Sequence, residues 1–515
     1  MHSKVIAYYR NRNVLLRLLE YLGVSPEVAA ELADPAREPL ARSSELKQIV
    51  CRASTEYIAV YGQDILKSTG RTHASFKPFA LGWALDQGLD LHRSVWDRQG
   101  AVFVLDVEYF SKNFPGEPFL NPERVFNLLE PVYRIILEIF ISCGIHPMAV
   151  VTGQGYNFVF MVHKNSPGFA GLTSLGIVEP ALAEDYLFPS PRRGRPVPEK
   201  DALAFDAQGK LMEFIYHQLF LRLRNFDYPL PVTAGDIVPG NERREGVSLD
   251  LSLYSHPLHK RSIRCPFSVY SKHFLKGHIV GEHVFRQTGP LFCQLRRIWT
   301  METPLSTVLK IRKSAEKSAE QAGAARIVWN DQTKGVERLI SSYKSSAMHN
   351  FHREFDSVPQ DDSSQWPQGY HRFDTAGIPP CAGLPLIDPN PLLLQPTCLQ
   401  TVVRVLMAAG WHPKHIAGLI YSKYAGDYKW EVNFRHYDPN RWANVWVRNF
   451  AGMVHSGADP LEDMTCRAQQ QRGEAWKGRC YCPDPGCSFD LEKYRSILLR
   501  KCVSGEAKAF ARVRN

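Results

Sequence analysis

The stretch Ala101–Phe110, AVFVLDVEYF, constrains this chain most. An apolar, β-branched run, Ala101 to Leu105, delivers two carboxylates one residue apart, Asp106 and Glu108. Such a run predicts a strand. On a strand, residues i and i+2 face the same way, with Cα atoms about 6.5–7 Å apart. Two negative charges set side by side near a low-dielectric core repel each other. One must take a proton unless something positive sits between them. A divalent metal ion meets that need. The competing reading is a strand that leaves the core and carries both acids at its wet end.

The neighbouring segments make an α/β unit. Residues 122–145, PERVFNLLEPVYRIILEIFISCGI, repeat apolar residues at helical spacing and stop at Gly144. HPMAVVTGQGYNFVFMV then reads as two strands on either side of a tight Thr152–Gly155 turn. Upstream, residues 1–34 read as a helical pair, with Ser25-Pro26 opening the second helix. Residues 44–66 carry a helical stripe of Leu46, Ile49, Val50, Ile58 and Tyr61. Downstream, 203–225 is helical, and VSLDLSLY (247–254) alternates as a strand holding Asp250. Asp236, in the loop before it, competes for the role of third acid. Residues 303–347 predict one or two long polar helices, and 352–396, rich in Pro, Asp and Ser, a linker. The expected division is an N-terminal helical segment (1–43), a catalytic core (44–300), a helical extension (301–351), the linker, and a helical, cysteine-rich domain (397–515).

At 515 residues the chain is too long for one ordinary domain. Its net charge of +10 favours a polyanionic partner such as nucleic acid. No apolar run reaches membrane-spanning length, and the N-terminus lacks the layout of a signal peptide, so a cytoplasmic, nucleic-acid-associated protein with no membrane partner is expected. Of eleven cysteines, six lie singly between residues 51 and 398 and five fall within 466–502. That distribution fits a reducing compartment with one local metal site. Cys466, Cys480, Cys482 and Cys487 can surround a zinc ion or an iron–sulfur cluster, with Cys502 or His455 as substitutes. A small core of reduced thiols is the alternative. Just before them, aromatics and cations interleave (Tyr424, Tyr428, Lys429, Trp430, Arg435, Arg441, Trp442, Arg448), a pattern that suits either base stacking or a helical core with snorkelling cations.

Three segments carry compatible chemistry: Asp106 and Glu108; Thr152, Gly153 and Asn157 at the strand turn; and Asp250, followed by Lys260, Arg261, Arg264, Ser268 and Lys272. Three carboxylates suit Mg²⁺ or Mn²⁺, and the glycine turn and the cations suit a triphosphate. Together they lean toward nucleotidyl transfer.

In order and wording these segments resemble the archaeo-eukaryotic primase superfamily, the primase small subunits and primase-polymerases. Its acid-x-acid strand is matched by Asp106-Val107-Glu108, and its Ser-to-His segment in part by Thr152–Asn157. Its strand aspartate is matched by Asp250, and its basic Pro-Phe-Ser phrase by RSIRCPFSVYSK, residues 261–272. The resemblance spans about residues 45–290. It implies an α/β (α+β) primase-like core with an RRM-like sheet, ahead of the helical C-terminal domain. It also implies metal-binding acids at Asp106, Glu108 and Asp250, and nucleotide-binding residues at Thr152, Gly153, Asn157, Lys260, Arg261, Arg264 and Ser268. The partners implied are nucleoside triphosphates, a single-stranded template and replication-type proteins. Asn157 stands where the family has histidine, and Thr152 where it has serine. A hydrogen bond to a charged group is worth about 1.5–3 kcal/mol, so losing the histidine's bond to a triphosphate would weaken catalysis roughly 10–150-fold. A catalytically weak nucleic-acid-binding protein and a metal-dependent nuclease are the other readings.

Overall fold

A computed structural model of the chain describes residues 2–31, 44–62, 73–179, 196–235, 245–255, 261–275, 277–388, 395–425, 438–475 and 482–504, together with 65, 183, 186 and 187. Two compact units result, Met1–Gln208 with Lys260–Leu339, and Gly209–His259 with Ile340–Asn515. The fold is mixed α/β.

Strands are numbered in chain order. In the first unit these are β1 (Ile58–Tyr61), β2 (His73–Phe76), β3 (Asp90–Ser94), β4 (Gly100–Ser111), β5 (Met148–Val151) and β6 (Gly155–His163). The second unit contributes β7 (Val232–Ala234) and β8 (Glu245–Leu249), a parallel pair. The first unit resumes with β9 (Ser262–Arg264), β10 (Val269–Tyr270), β11 (Leu291–Phe292), β12 (Gln294–Ile298) and β13 (Met301–Glu302). Its main sheet runs β13-β12-β5-β6-β4, and a smaller antiparallel sheet runs β2-β1-β3-β9.

The apolar run of the opening stretch becomes the inner part of β4, buried from Gly100 to Leu105 and paired antiparallel with β6 from Gly100↔His163 to Glu108↔Gly155. Phe103 stacks on its cross-strand partner Phe160 at 4.6 Å. The helix Pro122–Ser142 lays its apolar stripe on this sheet: Tyr133 meets Tyr156 at 4.7 Å, and Phe140 meets Phe160 at 5.3 Å. Gly144, at φ +76°, ends that helix where a side chain would be strained, and Ile145 N–H then reaches back to Phe140 O. The N-terminal helices His2–Tyr9 and Arg12–Tyr21 pack in a cluster with Met148, Val150, Phe267 and Phe292: Tyr8 OH donates to Phe267 O and Tyr9 OH to Leu89 O.

Several elements differ from the sequence expectation. The helix predicted over 44–66 spans Ser44–Val50, and Ile58–Tyr61 is strand β1, because β2 and β3 supply ladder partners on both sides. VSLDLSLY is strand only to Leu249. Asp250 then accepts from Ser252 N–H at 2.9 Å and turns the chain into a 3₁₀ helix, Leu251–Tyr254. The one or two helices expected over 303–347 are separate elements starting at Leu305, Ala315 and Thr333, with another at Ala347; Ser314 and Ser346 cap the second and fourth. Within the expected linker, residues 352–388 hold the end of helix Ala347–Ser357, three 3₁₀ turns and the helix Pro380–Ile387.

The second unit is largely helical among its described residues. Pro396–Ala408, Pro413–Tyr424 and Pro439–His455 bury most of their length. Tyr424, Arg441, Trp442 and Arg448 are buried there, so these members of the aromatic–cation stretch serve the core. Tyr428, Lys429, Trp430 and Arg435 lie outside the described residues. Arg448 forks onto Glu213, which also faces His352 Nε2 at 3.0 Å. Burial alone would raise the Glu213 carboxyl; Arg448 and His352 hold it down, at about 2.

One close approach governs the β4–β6 pair. A Cβ on Gly155 would stand 1.8 Å from Val107 O, with backbone on both sides and no flexible side chain to yield. Gly155→Ala is expected to destabilise the first unit by about 2 kcal/mol or more, as overpacking does. Urea unfolding followed by intrinsic fluorescence measures it; an unchanged midpoint would show that the strands part freely here.

Candidate active site

Antiparallel pairing puts Asp106 opposite Asn157 and Glu108 opposite Gly155. Asn157 Nδ2 donates to Asp106 Oδ1 at 2.7 Å. Glycine leaves room over Glu108, and Gln154 enters it, donating Nε2 to Glu108 Oε2 at 2.6 Å. Lys272 Nζ lies 3.0 and 2.9 Å from the two Glu108 oxygens. The positive charge demanded by two adjacent acids is therefore present in the chain itself. Glu108 and Lys272 stay partly exposed, 19% and 28% by side chain, so solvent reaches the pair.

Lys272 owes its position to β10. Tyr270, two residues earlier, sends its OH to Gln154 Oε1 at 3.4 Å and takes the Arg264 guanidinium over its ring at 4.4 Å. The ring lies against Gly153, where a Cβ would come 2.3 Å from Tyr270 Cε1. Gly153 thus admits Tyr270. Thr152 Oγ1 donates to Gly155 O at 3.2 Å inside the turn and is buried. The turn is braced from below by Arg312, which donates to Thr152 O at 2.9 Å, Gly153 O at 3.3 Å and Pro118 O at 3.0 Å. Burial lowers the Arg312 guanidinium to about 10. Nothing in the local sequence marks Arg312; its partners are some 160 to 194 residues away.

Arg264 and Ser268 lie deeper. Both face Asp90, which is fully buried: Arg264 Nε donates to it at 3.0 Å, and Ser271 N–H and Oγ bond its other oxygen at 3.0 and 3.2 Å. Ser268 Oγ lies 3.5 Å from Asp90 and accepts from Leu91 N–H at 2.7 Å. Burial alone would raise the Asp90 carboxyl, but Arg264 and His92 hold it well below the usual carboxylate range. These two predicted nucleotide contacts therefore anchor the segment that carries Lys272. Arg261 accepts at its carbonyl from Tyr57 OH at 2.7 Å. Lys260 and Asp236 fall outside the described residues. Asp250 belongs to the second unit.

The acid pair also carries an unfilled valence. Asn157 is 2% exposed, and its Oδ1 has no hydrogen-bond partner among the described residues. Asp106 fixes which end of the amide points where: a flipped amide would set two acceptors against each other. A buried acceptor on the amide that binds Asp106 suits a hard cation, which prefers oxygen ligands. Among the described residues no three His, Cys, Asp or Glu side chains are gathered round a metal position.

In the second unit Cys466 opens the helix Cys466–Ala475. Its Sγ and that of Cys487 both lie 3.9 Å from Phe489 O, and Leu491 N–H donates to Cys466 Sγ. Burial first, and then Cys487 and Cys466, push the Cys482 thiol above its ordinary value. Cys381, in the first turn of Pro380–Ile387, is buried; burial first, then Cys482, Cys466 and Cys487, push its thiol up to about 12, although no three of these described cysteines are gathered round a metal position. Cys480 and the Cys502 side chain lie outside the described residues. The sequence reading missed Cys381 because it stands 85 positions before Cys466, with only the helix-opening Pro379-Pro380 as a local mark.

His92 and His273 are both pushed down to about 4 by burial. In the unfolded chain histidine titrates near 6.5. Below that pH the unfolded state binds protons that the native state refuses, so stability falls as pH drops from about 6.5 toward 4, by about 1.4 kcal/mol per pH unit for each histidine. Urea unfolding at pH 7, 6 and 5 should show this loss, and His92→Gln should remove one proton from the slope. An unchanged slope would mean that His92 is solvated.

No family model, no curated protein and no solved structure matches the chain.

Proposed function

We propose that this chain is a primase-type nucleotidyltransferase that joins nucleoside triphosphates on a single-stranded nucleic-acid template. The observation that carries this reading is the Asp106–Asn157 and Glu108–Lys272 arrangement on one edge of a rigid strand pair. Asn157 orients the Asp106 carboxylate and keeps an acceptor beside it, while Lys272 brings a cation to the same place as the acids. Positioning and charge neutralisation are most of what phosphoryl transfer asks of a protein. Mg²⁺ or Mn²⁺ would be held by Asp106 and Glu108, with Asp250 assigned on sequence order, and would neutralise the triphosphate. Arg264, Ser268 and Asp90 act in this reading as supports that fix Tyr270 and Lys272.

A template-dependent synthesis assay with Mn²⁺ tests it. Asp106→Asn should lower product by about 100-fold or more, the scale seen when one preorganised charge-stabilising group is removed, while binding of single strands persists. The reading is lost if neither protein makes product and both bind single strands equally. Cleavage of DNA without added nucleotides would favour a nuclease instead.

The cysteines of the second unit hold zinc or an iron–sulfur cluster in this reading, with Cys381 joining Cys466, Cys482 and Cys487. Burial, and then the neighbouring cysteines, make the Cys381 and Cys482 thiols resist ionisation, and a metal ion would supply the cation that reverses this. Protein purified without oxygen should carry stoichiometric metal. Cys381→Ser should lower metal content and Tm as Cys466→Ser does, whereas Cys398→Ser should leave the metal in place. Metal-free wild-type protein would sink the assignment.

A further inference from the structure

The second unit contains a cavity of about 220 Å³ that plays no part in the chemistry above. Every residue lining it belongs to that unit. Drug-sized sites run to roughly 300–1,000 Å³, so this one suits a single ring system. Its walls are aromatic: Tyr216 and Phe220 meet edge to face at 4.9 Å, and Phe450 lines another side. Such walls favour a flat ring.

The charged wall of the cavity is already neutral. Arg404 gives Nε and Nη2 to Asp459, at 2.9 and 2.6 Å, and Nη1 to Asp463 at 2.9 Å. Arg472 also binds Asp463. Two cations thus offset Asp459 and Asp463, so these groups call for no charged ligand; the lining also includes the exposed carboxylate Glu462. One polar demand remains. Gln400 lines the cavity, and its Oε1 is covered with no hydrogen-bond partner among the described residues, so a ligand meets it once the amide turns toward the cavity. A buried acceptor left unmade costs about 1–3 kcal/mol. An N–H of a ring ligand would satisfy it, whereas an alkyl chain would not. At the mouth, Phe226 is 61% exposed, and Arg224 is exposed while one nitrogen is fixed on Ala458 O at 2.9 Å. An exposed, partly anchored guanidinium suits a phosphate.

We propose that this cavity is a nucleobase pocket, which stacks one base between Tyr216, Phe220 and Phe450, reads an N–H through Gln400 and leaves the phosphate at Arg224. The base comes from a free nucleotide or from a single strand. The pocket stands independently of the reaction proposed for Asp106 and Glu108.

Calorimetry on the full chain, with adenosine, AMP and a short oligo(dA) as probes, tests it. Gln400→Leu should weaken all probes that bind by about 5–150-fold. Arg224→Ala should weaken AMP or the oligonucleotide while adenosine is unaffected. Asp106→Asn should leave the Gln400-dependent binding intact, which separates this pocket from the site on β4. Binding of AMP points to a free nucleotide, and binding of the oligonucleotide alone points to a strand; both support the pocket. No binding at millimolar concentration, or binding that Gln400→Leu leaves unchanged while the variant keeps the wild-type Tm, would overturn it.

Discussion

Two like charges at the end of a buried strand set the terms for everything around them. Asp106 and Glu108 share a face by the geometry of a strand, and neither is neutralised by its own neighbours in sequence. The fold answers with a side-chain amide on one acid and an ammonium on the other. Each answer requires further structure. The amide needs β6 in register, which needs glycine at 155. The ammonium needs β10 held down, which needs Tyr270 against Gly153 and Arg264 on a buried Asp90. Groups that read from the sequence as ligands for a nucleotide thus form, in part, the frame that carries the two acids.

The second unit solves a related problem differently. There the buried charges are matched pair by pair: Arg448 with Glu213, and Arg404 with Asp459 and Asp463. Buried pairs of this kind add little net stability against an apolar core, yet breaking one leaves an uncompensated charge that is strongly unfavourable. They therefore restrict how the helices Pro396–Ala408 and Pro439–His455 can pack, and so keep the cavity beside Arg404 in one shape.

Much of the first unit was legible in the sequence. Periodicity gave the strand around Asp106, the helix ended by Gly144 and the two strands flanking Thr152–Gly155, because each is long and faces one core. Short elements failed. Ile58 and Tyr61 fall at helical spacing after Leu46 and Val50, yet they stand in a four-residue strand whose pairing partners decide the matter. The alternation of VSLDLSLY predicts Asp250 within a strand, but an aspartate can bond the backbone two residues on, and that local bond ends the strand. Asp90, Arg312 and Cys381 were invisible for one reason. Apart from His92 beside Asp90, their partners lie some 85 to 194 residues away, and a single sequence carries no sign of such pairings.

The same distances bear on the order in which the protein comes into being. On the ribosome, β4 and β6 are complete by His163, but the turn between β5 and β6 lacks its brace until Arg312 has emerged, and Glu108 lacks its cation until Lys272 has. Between them the chain must first lay down Gly209–His259, which belongs to the other unit. Contacts of such long sequence separation close late, after their loop entropy has been overcome. From Glu108 to Lys272 the chain adds 164 of its 515 residues, so the nascent chain carries Glu108 without its ammonium partner through about a third of its synthesis, and the acid-bearing end of β4 is among the last parts of the first unit to be finished.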